Sequence, residues 1–227
     1  LTSPCNPTGA VVPPSEIEAI GKLLEDKGLW CITDEIYDKL IYGDNQHKSV
    51  TSVSDYCRNH TILVNGVSKT YAMTGWRIGF AAGPVDIIKA MANIQSQSTS
   101  CACGLAQAGA LAALTGPQDC VAAMVKEFAA RRELIAEKLN AIDGVTCALP
   151  DGAFYAFPNI SGVLGKTLGN TKIDSPMDFC NAALDQALVA PVPGEAFGTD
   201  RHVRLSYATS REQIEEGCSR LKKLIEG

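Results

Sequence analysis

The stretch Thr-Ile-Leu-Val-Asn-Gly-Val-Ser-Lys-Thr-Tyr-Ala-Met-Thr-Gly-Trp-Arg-Ile-Gly, residues 61–79, decides the fold. Its apolar start predicts a strand over residues 61–65, and Lys69 follows just after it, with Arg77 eight positions later. A lysine amine can form a Schiff base with a carbonyl, and an arginine guanidinium can hold a phosphate through paired hydrogen bonds. This pair of residues therefore suits an aldehyde ligand that carries a phosphate, whereas a lone lysine in a turn would be an ordinary solvated side chain.

Polar side chains also follow two other predicted strands. The apolar run 29–33 is followed by Asp34 and Tyr37, and the first residues of the chain lead to Asn6 in a turn-rich segment. Alone, Asp34 could be a helix cap and Asn-Pro-Thr-Gly an ordinary loop. In an open parallel sheet, ligands bind at the carboxyl ends of the strands, so three such ends can converge on one site.

Strands and helices alternate in the first half of the sequence, which predicts an α/β core, and a smaller α+β region follows. Residues 15–18, Ser-Glu-Ile-Glu, form a capping-box pattern at the start of a helix. The run 29–33 is apolar on both faces and predicts a fully buried strand. The other predicted elements are strands 61–65, 78–82, 145–149, 154–157, 188–192 and 203–207, and helices near 117–142, 176–186 and 211–225, with a loop over 161–175.

Composition excludes several classes of protein. The chain of 227 residues has 46% apolar and 20% charged residues and a net charge of -5, which gives no reason to expect nucleic acid or an anionic membrane as a partner. No apolar run approaches the ~18 residues of a membrane span. Nine cysteines without a Cys-x-x-Cys motif predict free thiols in a reducing compartment, and three scattered histidines predict no metal site.

Four motifs carry a resemblance to a known family. Asn6-Pro7-Thr8-Gly9, Asp34-Glu35-Ile36-Tyr37, Ser68-Lys69-Thr70 with Gly75-Trp76-Arg77-Ile78-Gly79, and Arg204-Leu205-Ser206-Tyr207 occur in the order and at the distances found in fold-type I pyridoxal-phosphate enzymes, within them the class I aminotransferases. The resemblance covers essentially the whole chain and is closest to the bacterial and plastid aspartate (prephenate) branch. It implies that residues 1–116 are the remainder of a large, mostly parallel-sheet domain that binds the cofactor, 117–143 a connecting helix and 144–227 a small C-terminal domain.

The resemblance also implies a role for each motif residue. Lys69 would hold pyridoxal 5'-phosphate covalently and then move the proton of the substrate α carbon, while Asp34 would keep the pyridine nitrogen protonated. Tyr155 lies on a segment that resembles the substrate-side strand of the small domain. The remaining assignments are Tyr37 and Asn6 to the ring oxygen, Ser68 and Arg77 to the phosphate, and Arg204, with Asn6 beside it, to the substrate α-carboxylate.

By the same resemblance, the implied reaction moves an amino group from aspartate or glutamate to 2-oxoglutarate, oxaloacetate or prephenate. Two alternatives stay open: a pyridoxal-phosphate lyase or aminocyclopropane-carboxylate-synthase-like enzyme on the same fold, and a noncatalytic remnant. A homodimer in the cytoplasm or plastid stroma is implied too. Family members carry a long segment before the Asn-Pro-Thr-Gly motif, with the phosphate loop, the ring-stacking aromatic and a tyrosine given to the partner subunit, so the chain is expected to be an N-terminally truncated fragment.

Overall fold

Helices and strands alternate along the first half of the chain in this computed structural model, which describes residues 1–227. The predicted α/β class is confirmed, because β1 and β2 each follow an α-helix and pair in parallel, while only a 3-10 helix separates β2 from β3. The elements are α1 (Pro14–Lys27), β1 (Cys31–Asp34), α2 (Asp55–Asn59), β2 (Thr61–Gly66), β3 (Gly79–Ala82), α3 (Val85–Ser98), α4 (Gly104–Thr115) and α5 (Asp119–Asn140).

The first sheet has the strand order β1-β2-β3. Strands β1 and β2 are parallel, with Asp34 opposite Val64, and β3 runs antiparallel to β2. On the other side of β1, Thr2 forms a parallel bridge with Asp34. Because β1 and β2 are parallel neighbours, their carboxyl ends lie at the same edge of the sheet.

Only one face of β1 is covered, so the prediction of a strand buried on both faces is wrong. Cys31 packs with Ile17, Val50 and Cys57 in a buried cluster. On the opposite face Ile32 is 63% exposed. The helices and the 3-10 turn that precede β2 all supply apolar side chains to the first face, and this leaves the alternation of a half-buried strand.

Helix α1 begins one residue before the predicted capping box. Pro13 is the N-cap and Pro14 the first helical residue, and no side chain caps the helix. Proline suits this position, because its missing N–H would have no intrahelical acceptor and its φ is already helical. Ser15 therefore lies inside the first turn, and Glu18 instead binds Nζ of Lys48 at the surface.

The chain after α5 contains short strands and two further helices. The predicted helices near 176–186 and 211–225 are confirmed as α6 (Pro176–Ala187) and α7 (Arg211–Glu226). The predicted loop 161–175 contains a small antiparallel hairpin. The strands are β4 (Tyr155–Ala156), β5 (Thr167–Leu168), β6 (Thr171–Lys172), β7 (Val192–Pro193) and β8 (Val203–Ser206), with β5 paired to β6 and the other three in the antiparallel order β4-β8-β7.

Residues 145–149 do not form the predicted strand. Thr146 makes one isolated bridge to Asn159. The next backbone groups bind a side chain, since the N–H of Cys147 donates to Oδ1 of Asn140 and Nδ2 of Asn140 donates to the carbonyl of Cys147. The asparagine amide thus satisfies the groups that a second strand would have paired.

The chain divides into two compact units. Unit 1 comprises Leu1–Cys5 and Ala10–Val125, and unit 2 comprises Asn6–Gly9 and Lys126–Gly227. The division falls within α5, and the domain boundaries drawn from the sequence stay a prediction. No helix is long and apolar enough to cross a membrane, and no group of three or more His, Cys, Asp or Glu side chains could hold a metal ion.

All nine cysteines are free thiols, and all but the half-buried Cys5 are either buried or exposed. Burial raises the pKa of Cys147 and of Cys218 to about 11 and that of Cys180 to about 12. Cys103 is exposed, and hydrogen bonds from the backbone N–H groups of Ala106 and then Leu105 lower its pKa. The buried thiols are Cys31, Cys57, Cys147, Cys180 and Cys218, and the exposed ones are Cys101, Cys103 and Cys120.

Candidate active site

Lys69 lies in the turn that follows β2. The turn is closed by hydrogen bonds from the N–H of Tyr71 to the carbonyl of Val67 (3.3 Å) and from the N–H of Ala72 to the carbonyl of Lys69 (3.2 Å), and Val67 is fully buried beneath it. Nζ of Lys69 lies 5.9 Å from the centre of the Tyr37 ring. The two predicted site residues after β1 and β2 are therefore neighbours within unit 1.

Asp34 ends β1, and Tyr37 belongs to the turn that follows. Oδ1 of Asp34 accepts a hydrogen bond from the N–H of Ile36 at 3.0 Å, which fixes the carboxylate at the strand end. The Tyr37 side chain is buried, with 4% of its surface exposed. Asp34 shares a sheet face with Ile32, since side chains two residues apart in a strand point to the same side.

Glu35 is a buried carboxylate that sequence reasoning did not single out. It accepts hydrogen bonds from Nε2 of His47 (2.9 Å) and Oγ1 of Thr33 (3.2 Å). Burial opposes ionisation, but the bonds from His47, Ser49 and Thr33 outweigh it and hold the pKa of Glu35 below its ordinary value. His47, one of the three scattered histidines, thus anchors Glu35 between Asp34 and Tyr37. The sequence offered only one signal, the acidic residue next to Asp34. Adjacent acidic residues are too common to identify a pair of Glu35 with His47.

Arg77 and Ser68 lie on either side of the lysine turn. Arg77 follows the 3-10 helix Thr74–Trp76 in a left-handed conformation (φ 56°), and its Nη1 donates to the carbonyl of Thr74 at 2.9 Å. Its side chain is exposed, and Ser68 is half-buried. Both residues are positioned by the backbone between β2 and β3, within unit 1.

Arg204 and Asn6 form the predicted group of unit 2. Nη1 of Arg204, on β8, donates to Oδ1 of Asn6 at 2.8 Å. Cζ of Arg204 lies 4.6 Å from the centre of the Tyr155 ring and 5.1 Å from that of the Phe197 ring. Sequence reasoning missed Phe197, which ends the 3-10 helix Gly194–Phe197.

A tight turn around Gly194 could have pointed to Phe197. A Cβ at Gly194 would lie 2.8 Å from the carbonyl oxygen of Thr199 and closer still to that of His202, so only glycine fits. The close approach of these two carbonyl groups to Gly194 fixes the start of the 3-10 helix that ends at Phe197. The sequence signal was the Pro-Gly-Glu-Ala-Phe-Gly stretch, residues 193–198, a turn pattern that lies shortly before Arg204.

Arg77 and Arg204 differ from most arginines of the chain in having no carboxylate partner. Both guanidinium groups donate to neutral oxygens instead, Arg77 to a backbone carbonyl and Arg204 to an amide. Their charges are therefore available to an external anion. The arginines that form ion pairs are Arg58, Arg131, Arg201, Arg211 and Arg220.

The donor set of unit 1 fits an aldehyde cofactor with a basic ring nitrogen and a phosphate. It offers a lysine amine beside a phenol, a carboxylate at the neighbouring strand end, and an arginine with no acidic partner. Unit 2 offers an arginine of the same kind, with two aromatic rings and an amide against it. That arrangement suits a carboxylate.

Comparisons with known proteins agree with these observations. The sequence model described as aminotransferase class I and II matches residues 1–221. The chain is 48% identical to an aspartate aminotransferase of Streptomyces avermitilis over 99% of its own length and 55% of the relative's. It is 44% identical to an aspartate/prephenate aminotransferase of Cereibacter sphaeroides over 100% of its own length and 57% of the relative's. The chain thus spans about half the length of the curated relatives it matches.

Solved structures confirm the fold-type I architecture expected from the motifs. The crystal structure of an aspartate aminotransferase from Rhizobium meliloti superposes with a TM-score of 0.94 at 42% identity, over 100% of this chain and 57% of that one. An aromatic aminotransferase from Pyrococcus horikoshii matches with a TM-score of 0.90 at 39% identity, over 99% of this chain and 58% of that one. At these identities the similarity extends to the sequence as well as to the fold.

Proposed function

The chain belongs to the class I and II aminotransferase family, and from this we propose that it transfers the amino group of aspartate or glutamate to 2-oxoglutarate or oxaloacetate. Prephenate is a further acceptor in this proposal, since one relative is named for both substrates. The observation that carries the proposal is the position of Lys69: its Nζ lies 5.9 Å from the Tyr37 ring, in the turn after β2, at the sheet edge where β1 ends with Asp34.

The family depends on pyridoxal phosphate, and the proposal gives this chain the same cofactor. When bound, the cofactor supplies an aldehyde for the amino group and a ring that accepts electrons from the substrate α carbon. Nζ of Lys69 binds the cofactor and then moves the proton that leaves the α carbon. A single amine would serve both purposes, as the covalent partner of the aldehyde and as the carrier of the proton.

In this proposal the cofactor is oriented, and its ring nitrogen kept protonated, by Asp34, Tyr37 and Arg77. Oδ1 of Asp34 is held by the N–H of Ile36, so the carboxylate can face a ring nitrogen and keep a proton on it. The family resemblance assigns the Tyr37 hydroxyl to the ring oxygen, and it assigns the Asn6 amide to the same oxygen. Arg77, without an acidic partner, and Ser68 hold the phosphate.

Arg204 binds the substrate α-carboxylate. Its guanidinium carries five N–H groups, and the structure uses one of them for Asn6. The others can form a paired contact with a planar carboxylate, which fixes the direction of the α carbon–hydrogen bond. We assign Asn6 to both the carboxylate and the cofactor group.

The proposal extends to the setting in which the enzyme works. A homodimer follows from the family resemblance. Nine free thiols fit a reducing compartment, such as the cytoplasm or plastid stroma. We also keep the domain assignment of 1–116, 117–143 and 144–227 as part of the proposal.

Borohydride reduction of the chain with pyridoxal phosphate tests the proposal. Peptide mass mapping should find the reduced cofactor on Lys69 in the wild type and on no peptide in K69R, while K89R, changed in α3, keeps the label. Labelling scattered over surface lysines, equal in K69R and wild type, would contradict the assignment. In the unreduced wild-type chain supplied with pyridoxal phosphate, release of pyruvate from cysteine-type substrates without amino transfer would point to the lyase alternative.

A further inference from the structure

We propose that Phe197 and Tyr155 are positioning residues that hold the Arg204 guanidinium ready for a carboxylate. The inference rests on the proposed function, because it assigns two further residues to the carboxylate group of unit 2. It concerns the orientation of the arginine and involves no contact between either ring and the substrate.

Both rings contact Arg204 directly. Its Cζ lies 4.6 Å from the Tyr155 ring centre and 5.1 Å from the Phe197 ring centre, within the range of a cation–π contact. Tyr155 on β4 is opposite Ser206 on β8, so Arg204 is its diagonal neighbour on the same sheet face. The sheet register therefore brings one ring to the arginine, and the 3-10 helix Gly194–Phe197 brings the other.

Each ring is itself fixed. Tyr155 is 8% exposed. Phe197 meets Phe157 edge-on (5.9 Å, 87°), and Phe157 stacks on His202 (4.9 Å, 13°), whose Nδ1 is hydrogen-bonded to the Thr199 hydroxyl. The rings of Phe197, Phe157 and His202 therefore form a row that is anchored by the hydrogen bond of His202. This row fixes the orientation of the Phe197 ring against the guanidinium.

These contacts leave the binding edge of Arg204 available. An aromatic ring attracts the guanidinium through its face and uses none of its N–H groups, which all point outward in the plane. Asn6 takes one N–H, and no carboxylate of the chain takes another. A second anchor made by an acid would have neutralised the charge that the substrate needs, whereas two rings and an amide hold the arginine and leave it cationic.

A pre-ordered arginine should bind more tightly than a free one. Arginine is among the side chains that lose most rotamer freedom when they are fixed. If the rings have already restricted Arg204, substrate binding does not have to, and the affinity gains accordingly. Loss of a ring should therefore weaken carboxylate binding while leaving the donors themselves in place.

Phe197→Leu tests this, with Phe197→Tyr as the conservative variant. In F197L the dissociation constant for maleate, measured by calorimetry, and the KM for aspartate should rise about three- to tenfold, with a smaller change in kcat. F197Y should stay within about twofold of wild type. Tyr155→Leu and Tyr155→Phe form a second pair with the same expectation.

A readout without substrate separates this inference from the proposed function. In the nitrogen NMR spectrum, the Arg204 Nε–H signal should be shifted by the ring currents in wild type and F197Y and return towards the ordinary arginine position in F197L. F80L is the matched control, because Phe80 lies on β3 in unit 1 and is not one of the two rings that contact Arg204; both readouts should match wild type. Wild-type failure to bind maleate would count against the proposed function alone, whereas an unchanged signal and affinity in F197L and Y155L would overturn the positioning role.

Discussion

Arg204 donates from Nη1 to Oδ1 of Asn6 at 2.8 Å, although 198 positions separate the two residues. Arginine has only donors, so the amide oxygen of Asn6 must face it and the Nδ2 group must point elsewhere. The arginine therefore decides which end of the asparagine amide is presented to other groups.

Replacing Asn6 with aspartate should impair carboxylate binding. The new carboxylate would pair with Arg204 and compete with the substrate, so the dissociation constant for maleate should rise about five- to tenfold. N6A removes the contact without adding a charge and should have the smaller effect. Equal losses in N6D and N6A, measured by calorimetry, would show that the hydrogen bond matters and the charge does not.

Replacing Glu35 with glutamine should destabilise the chain. The carboxylate is buried and accepts bonds from His47, Ser49 and Thr33, so E35Q should lower the free energy of unfolding by about 1–3 kcal/mol at pH 7. E18Q, at an exposed ion pair, should lose less than ~1 kcal/mol. Urea unfolding measures both, and similar values for the two would contradict the importance of burial.

The effect of E35Q should also depend on pH. The folded-state pKa of Glu35 lies below its ordinary value of 4.5, so the ionised carboxylate stabilises the fold above pH 4.5. That stabilisation is lost as the pH falls through the lowered folded pKa. The difference between wild type and E35Q should thus be full at pH 7 and should shrink progressively below pH 4.5. A constant difference down to the acid limit would contradict this.

Glu127 should give a pH-dependent contribution of the same sign in unit 2. Hydrogen bonds from Arg211 and then Arg131 lower its pKa from 4.5 to about 2. E127Q should reduce the Tm at pH 7, and the reduction should fade between pH 4.5 and about 2. The group is exposed, so added salt should also diminish it. D200N is the control, because Asp200 pairs with its sequence neighbour Arg201, and unfolding need not break that contact. If D200N lowered the Tm as much as E127Q, the ion pair between Glu127 and Arg211 would not explain the loss.

Replacing Gly9 with alanine should disrupt the segment that carries Asn6. Gly9 has φ +70°, and a Cβ there would lie 2.5 Å from Cβ of Pro150 and 2.8 Å from the carbonyl oxygen of Gly152. Gly165 has φ +84° and open space, so G165A should lose only the ~1–2 kcal/mol of the left-handed backbone. Overpacking should add about 1–3 kcal/mol in G9A. Calorimetric unfolding of G9A and G165A measures the two losses. Equal losses would mean that Pro150 and Gly152 move aside in G9A.

Local sequence patterns predicted the elements whose contacts are local. The helices α6 and α7 were predicted from the spacing of their apolar residues, and in the structure Ser175 and Ser210 cap them, so both helices depend on neighbours in the sequence. The strand that ends at Asp34 was found from its apolar run. Which of its faces would be covered depended on α1 and α2, and nothing in the run itself could decide that.

Non-local contacts account for what was missed. Asn140 occupies backbone groups of Cys147 and prevents the predicted strand, and a side chain seven residues away leaves no trace in a period-two pattern. Phe197 was missed for the same reason, since its contact with Arg204 exists only after β8 and the 3-10 helix are formed. Motif residues such as Lys69 and Asp34 could be named from their order along the chain, and the structure adds which side chains surround them.

The partition of the thiols supplies a built-in reporter for these experiments. A thiol-reactive dye at neutral pH should modify Cys101, Cys103 and Cys120 in the native chain, with Cys103 fastest because its lowered pKa leaves more of it as thiolate. The inaccessible set includes Cys31 and Cys57 in unit 1 and Cys147, Cys180 and Cys218 in unit 2. The order in which their peptides become modified in rising denaturant would show which unit opens first, without any engineered label.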